Sequence, residues 1–395
     1  MGAGRAAVEV VGRGLGRQWL QQQARGMSAA ASAAMAQPSP AAPPTLPRYK
    51  RELGVVRTDW TRAEVGEVFH APLMELLYDA ATVHRMYHDP NQVQQCTLLS
   101  IKTGGCPETC TYCSQSSSYS KTTGTKAEKL MDVDAVFEAA KRAKAAGSTR
   151  FCMGAAWRGP SQVGKGQWER TLEMVTKVRA LDMEVCLTAG LLNDEQAAQL
   201  RQAGLSAYNH NLDTSPEFYS EVISSRTYED RLSTLRSVRK SGVSVCSGGI
   251  IGLGEGEGDR VGLVHALATL EEHPESVPVN SLVAVKGTPL EGNESVEPLE
   301  LVRTVATARI VMPRSMVRLS AGRLKLSKSD QAMCFFAGAN SVFSGDTLLT
   351  TPNNDKSEDA QMFEEFGIKG RPPHLPYVGG GETTRHGPEP VHPAP

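Results

Sequence analysis

A chain of 395 residues with 42 Lys and Arg against 43 Asp and Glu carries a formal charge of −1. That balance excludes a basic nucleic-acid-binding surface as the starting description. Hydrophobic residues at 40% and charged residues at 22% describe a globular protein. No run of ~18 apolar residues offers a membrane span.

In chain order, the first 40 residues stand apart: Arg5, Arg13, Arg17 and Arg25 face Glu9 alone, and Val8, Val11, Leu15 and Trp19 recur at helical spacing. Arg-rich, acid-poor and amphipathic is the composition of a mitochondrial transit peptide, which predicts the matrix as destination. The alternative is a plain N-terminal extension. Prolines 38–47 form a linker, so residues 1–47 are set outside the fold. Residues 63–87 predict a helical extension with Phe69, Leu73, Leu76 and Leu77 on one face.

Short β-rich runs then alternate with helical ones. The strand candidates are 97–101, 150–154, 184–188, 207–212, 244–253, 279–285, 316–321 and 341–344. Helical patterns at 132–146, 167–181, 194–203, 228–241, 259–271 and 298–311 separate them, with Gly147, Gly204 and Gly242 as left-handed caps. Eight β/α repeats predict an α/β fold, a (β/α)8 TIM-type barrel over about residues 60–366. An open doubly wound sheet is the structural alternative. Residues 367–395, rich in Pro and Gly, predict a disordered tail.

Eight cysteines are too sparse for a disulfide scaffold. Three of them share one loop: Cys106-Pro107-Glu108-Thr109-Cys110-Thr111-Tyr112-Cys113. The loop follows the first strand candidate, where a barrel carries its chemistry. Three thiolates can hold three irons of a [4Fe–4S] cluster and leave the fourth open to a small molecule. Structural zinc wants four ligands and often a second Cys pair, which is missing; His84 and His88, at i and i+4, read as polar residues on a surface helix. Cys152, Cys186 and Cys246 fall singly in three other strand candidates. Each alone reads as a small buried hydrophobe; pointing inward together, they converge in a barrel lumen.

The three-cysteine loop resembles the cluster motif of radical S-adenosylmethionine (SAM) enzymes. Residues 100–115, 145–157, 208–217, 246–255, 286–290 and 317–322 are similar to the biotin synthase family within that superfamily. The resemblance implies a [4Fe–4S] cluster on Cys106, Cys110 and Cys113, with SAM chelating the open iron and Tyr112 near its adenine. It implies a [2Fe–2S] cluster on Cys152, Cys186, Cys246 and Arg318. Without the resemblance Arg318 reads as a structural or carboxylate-binding arginine, since guanidinium lacks an acceptor. Asn211 and Asp213 are implied as SAM contacts, Asn211 and Asn280 as substrate contacts, and Arg231 as a neighbour of the SAM carboxylate. Strand alternation places Asn209, Asn211 and Asp213 on one side. Gly248 and Gly249 are expected to let the backbone approach a cofactor.

The implied reaction is sulfur insertion between two unactivated carbons of dethiobiotin, giving biotin. Those C–H bonds are beyond general-base catalysis, which is why a 5′-deoxyadenosyl radical is required. The implied partners are a ferredoxin- or flavodoxin-type electron donor, iron–sulfur assembly machinery and a second copy in a homodimer. Rival expectations are another radical SAM enzyme or a non-catalytic cluster carrier. Cys96 and Cys334 receive no role beyond packing.

Overall fold

The computed structural model describes residues 46–373. The expected transit segment up to residue 45 and the tail from 374 lie outside the described residues. The barrel and its helices belong to the unit that starts at Arg48.

All strands are parallel. They are β1 (Gln92–Lys102), β2 (Arg150–Ala155), β3 (Glu184–Thr188), β4 (Ala207–Asn209), β5 (Ser244–Cys246), β6 (Gly249–Ile251), β7 (Ser276–Ser281), β8 (Met316–Leu319) and β9 (Ser341–Phe343). β5 and β6 are two halves of one staff, the first pairing with β4 and both with β7. β9 pairs back onto β1 through Gln94 and Ser341, so the sheet closes on itself as an eight-staved barrel. A closed sheet leaves no open edge between its staves, and the doubly wound alternative falls.

Period-two alternation sorts the strand side chains. Phe151, Met153, Val185, Leu187, Val245, Val277, Val317 and Val342 are fully buried and join the helices in the main hydrophobic core. The alternate positions Cys96, Cys152, Cys186, Ala207 and Cys246 form a separate packed group inside the barrel. Below that group, Arg150 Nε donates to Glu184 Oε2 at 2.6 Å and Gln94 Nε2 donates to the same oxygen at 3.0 Å. The barrel floor is therefore an ion pair rather than an aliphatic layer.

Several boundaries differ from the sequence expectation. The single N-terminal helix is two, Arg62–Phe69 and Leu73–Tyr87. Pro72 cannot supply the amide that would continue the first, and it serves as N-cap of the second. β1 begins five residues before its expected start. The tail begins later than expected: Lys369–Gly370 forms a short parallel strand, β10, against Gln92 and Val93. His84 and His88 are not surface residues; both are buried, and His88 Nε2 is in contact with Arg309 Nη1 at 3.0 Å. Burial, and then the charge of Arg309, holds both imidazoles well below the usual histidine range. Cys334 is buried in the main core, as expected.

Candidate active site inside the barrel

The loop after β1 is built before any ligand is considered. Gly104 and Gly105 both have positive φ, 67° and 72°, which admits glycine at little cost. A Cβ on Gly105 would stand 2.8 Å from the Ala127 side chain, so the tight turn also needs the missing atom. The Cys113 amide donates to the Cys110 carbonyl at 3.0 Å, and the Cys106 amide to the Gln115 carbonyl at 3.0 Å. Glu108, fully enclosed, accepts from Arg158 Nη1 at 3.0 Å and from the Ser225 hydroxyl. Arg226 Nη2 reaches Cys110 Sγ at 3.8 Å. Arg158 and Arg226 were not anticipated, since their spacing from the loop carries no local signal; Glu108 lies within the motif but was given no role there. Burial pushes all three loop thiols up, Cys113 to about 12, with Cys110 adding its charge there.

Beside this loop stands a polar group drawn from three elements. β4 stops at Asn209, and Asp213 lies beyond it with φ 68°, in the left-handed region. Alternation therefore does not place the row Asn209, Asn211 and Asp213, as expected from the sequence; an irregular turn does. A non-glycine residue held there signals a position fixed by its surroundings. Tyr112 Oη donates to Asp213 Oδ2 at 2.8 Å, and Arg231 Nη2 pairs with the same oxygen. Arg231 Nε donates to Tyr219 Oη at 2.7 Å, and Nη1 donates to the Asn211 carbonyl. Burial opposes the Arg231 charge, but the Asp213 carboxylate together with Tyr112, Tyr219 and Cys110 outweighs it and raises the guanidinium above its usual range. Burial, then the Asp213 charge, keeps Tyr112 protonated.

Asn211 and Asn280 both line the cavity but spend side-chain atoms on backbone. Asn211 Oδ1 accepts from the Gly248 amide at 3.2 Å. Asn280 donates to the Gly249 carbonyl at 2.9 Å and accepts from the Ala321 amide at 3.2 Å. The glycine expectation is corrected here. A Cβ on Gly248 would collide with the Pro278 carbonyl, and one on Gly249 would sit 2.6 Å from the Asp213 carbonyl. These glycines let neighbouring backbone pack; the space is not left for a cofactor.

Deeper in the lumen the isolated cysteines meet. Cys152 pairs in register with Cys186, and Cys246 stands opposite Asn209. Cys96, Cys152, Cys186 and Cys246 pack against one another, and the interaction between neighbouring thiols pushes Cys152 and Cys246 up and Cys186 down. Burial works against ionising Cys96, yet the Cys152 hydrogen bond and the Arg318 charge bring it to about 6. Arg318, fully buried, donates from Nη1 to Cys246 Sγ at 3.6 Å and from Nη2 to Cys96 Sγ at 3.5 Å. Cys96 is thus a buried member of this packed group, and it stands on β1 rather than ahead of it.

One cavity of about 340 Å³ joins the two regions. Its walls include Cys106, Cys110 and Cys113 at one side, Cys152, Cys186 and Arg318 at another, and Asn211, Asp213, Arg231 and Asn280 among the polar residues. The segment carrying Leu349 and Thr350 also lines it; Thr350 Oγ1 hydrogen-bonds Ser114 Oγ at 2.9 Å. His210 Nε2 and Ser320 Oγ are buried in this wall and have no hydrogen-bond partner among the described residues. Each would cost about 1–3 kcal/mol unless a ligand satisfied it. Among the described residues no three His, Cys, Asp or Glu side chains close around a single metal ion. Three loop thiols and two strand thiols spread along the walls of one cavity, with Cys246 packed behind them, fit multi-iron clusters better than single ions.

Two family models match adjacent parts of the chain: the radical SAM superfamily over residues 100–267, and the biotin and thiamin synthesis associated domain over residues 278–369. The mitochondrial biotin synthase of Arabidopsis thaliana is 59% identical over 318 residues, covering 80% of this chain and 83% of its own. The chain belongs to the biotin synthase family. The biotin synthase of Schizosaccharomyces pombe is 54% identical, covering 82% of this chain and 89% of its own. Methylornithine synthase, at 20% identity and a TM-score of 0.67, covers 79% of this chain and 94% of its own and shares the fold. As a biotin synthase family member the chain is a radical SAM enzyme, a sulfur-inserting transferase, and its superfamily domain implies a [4Fe–4S] cluster and SAM. The rival of a non-catalytic carrier falls with that membership.

Proposed function

We propose that this chain converts dethiobiotin to biotin in the single cavity that its two cysteine sets share. Cys106, Cys110 and Cys113 would hold the [4Fe–4S] cluster; Cys152, Cys186, Cys246 and Arg318 would hold a [2Fe–2S] cluster. When bound, these groups supply 5′-deoxyadenosyl radicals from SAM for hydrogen abstraction and a sulfide for the new ring.

The chain's own residues do the positioning. Arg231 offers a fixed cation beside the loop, clamped by Asp213, Tyr219 and the Asn211 carbonyl, so it is ready for a carboxylate without rearrangement. Tyr112 orients the second face of Asp213, leaving that carboxylate able to accept from hydroxyl groups. Asn280, locked by two backbone contacts, presents a rigid wall to the substrate. The Arg150–Glu184 floor and the closed strands keep water from reaching the cavity through the barrel bottom.

The observation that carries the proposal is that the three loop thiols, two of the strand thiols (Cys152 and Cys186) and Arg318 line one cavity. A substrate held in this cavity would lie between the residues of both sets. We further propose that the Arg-rich segment before residue 45 directs the chain to the mitochondrial matrix, in keeping with the Arabidopsis relative's mitochondrial name. There a homodimer would take electrons from a ferredoxin- or flavodoxin-type donor and depend on iron–sulfur assembly machinery. The test is anaerobic turnover of the reconstituted chain with SAM, dethiobiotin and a reductant, scored by mass spectrometry. Biotin and 5′-deoxyadenosine are expected together. Neither product, from protein loaded with both clusters, would overturn the proposal.

A further inference from the structure

Cys96 has no part in the roles above, yet it stands among the strand cysteines. It is fully buried and packs in one group with Cys152, Cys186 and Cys246. The Arg318 guanidinium lies between two sulfurs, with Nη1 3.6 Å from Cys246 and Nη2 3.5 Å from Cys96. Its third edge is taken by Ser341 Oγ, 3.0 Å from Nε. Cys96 is itself held in place, its Sγ 3.7 Å from Ser341 Oγ and 3.6 Å from Gln94 Oε1. No carboxylate hydrogen-bonds Arg318 among the described residues, whereas Arg150 in the layer below pairs with Glu184. Arg318 therefore fills the gap between Cys246 and a thiol that belongs to the usual ligand chemistry of iron–sulfur clusters.

We infer that the strand-cysteine site carries two alternative fourth ligands, Arg318 and Cys96. Arg318 separates Cys96 from Cys246, and Cys96 binds iron once the guanidinium is gone. The inference rests on the proposed [2Fe–2S] cluster of Cys152, Cys186 and Cys246. The chemistry favours the exchange. A thiolate is an ordinary donor to iron, whereas a guanidinium gives a lone pair only once it has lost a proton, so Cys96 is the stronger donor of the two. β1 is also fixed on both sides by β2 and β9, so the sulfur is anchored close to the place it would occupy.

The experiment compares the wild-type full chain with Cys96→Ser, Arg318→Leu and the Cys96→Ser/Arg318→Leu double variant. Each is reconstituted anaerobically with iron and sulfide. The readouts are iron and acid-labile sulfide per chain, with Mössbauer and visible absorption spectra separating the two cluster types. Cys96→Ser is expected to keep both clusters, because Arg318 remains. Arg318→Leu is expected to keep its [2Fe–2S] cluster with a spectrum moved toward all-thiolate ligation. The double variant is expected to lose that cluster by roughly tenfold or more while keeping the [4Fe–4S] cluster. Equal loss in Arg318→Leu and the double variant would overturn the inference, as would an Arg318→Leu spectrum that Cys96→Ser leaves unchanged. Absence of any [2Fe–2S] signal from the wild type would overturn the underlying reading instead. Retained [4Fe–4S] cluster certifies a folded chain; if Arg318→Leu lacks it, Arg318→Lys replaces it in the same comparison, with the same results expected.

Discussion

The loop cysteines and the strand cysteines are held by different parts of the architecture. Cys106, Cys110 and Cys113 stand on irregular backbone, tied down by Arg158 and Arg226 from outside the loop, which reach Glu108 and Cys110 within it. Cys152, Cys186 and Cys246 stand on parallel strands whose register is set by the whole barrel. A loop can be built by short spacing and a few clamps, and its edge stays open to a small molecule. A set spread over β2, β3 and β5 exists only when the barrel closes. Under the proposed function, the contrast would suit one site that exchanges its ligand at every turnover and another that shields its sulfur until it is used.

The largest expected effect separates the two sets outright. Cys110→Ala is expected to abolish both 5′-deoxyadenosine and biotin, whereas Cys152→Ala is expected to abolish biotin alone. Product quantification after anaerobic turnover checks this, and loss of 5′-deoxyadenosine in Cys152→Ala would erase the distinction. Next comes the clamp beside the loop. Arg231→Ala leaves Asp213 buried without its cation, at a cost of about 3–5 kcal/mol. Denaturant unfolding should register that loss, and both products should fall in proportion. Glu184→Gln acts on the other region by leaving the Arg150 charge beneath the strand cysteines poorly matched. It is expected to destabilise by about 3 kcal/mol and to lower [2Fe–2S] content while sparing the [4Fe–4S] cluster. The smallest effect is Tyr112→Phe, which removes one hydrogen bond to Asp213 and is expected to cost about 1 kcal/mol. It should appear as a several-fold weaker SAM affinity by equilibrium binding, with product ratios unchanged.

Legibility in the sequence follows the same divide. The loop motif is written in consecutive residues, so its spacing was enough to suggest a cluster with one open iron. The barrel was legible because eight β/α repeats each carry their own helix and cap. Inward direction of the strand cysteines was a conditional statement, since alternation gives two faces but not which one is the lumen. Cys96 was missed for a related reason: β1 was expected to start at residue 97, and the strand's true start at Gln92 puts Cys96 in the same inward series as Gln94 and Leu98. Arg231 carried no local sign of burial; its partner Asp213 comes from a turn whose backbone departs from strand geometry. Arg318 was legible only through family resemblance, because its thiol contacts come from β1 and β5, far apart in the chain.

The central claim is that the strand cysteines house the sulfur that enters the product. Its most direct test is to build the clusters with isotopically heavy sulfide and run a single anaerobic turnover in unlabelled buffer. The biotin formed should then be weighed by mass spectrometry. Heavy biotin from the wild type, with none from Cys152→Ala carrying an intact [4Fe–4S] cluster, is the expected result. Unlabelled biotin from the wild type, or heavy biotin still made by Cys152→Ala, would contradict the account.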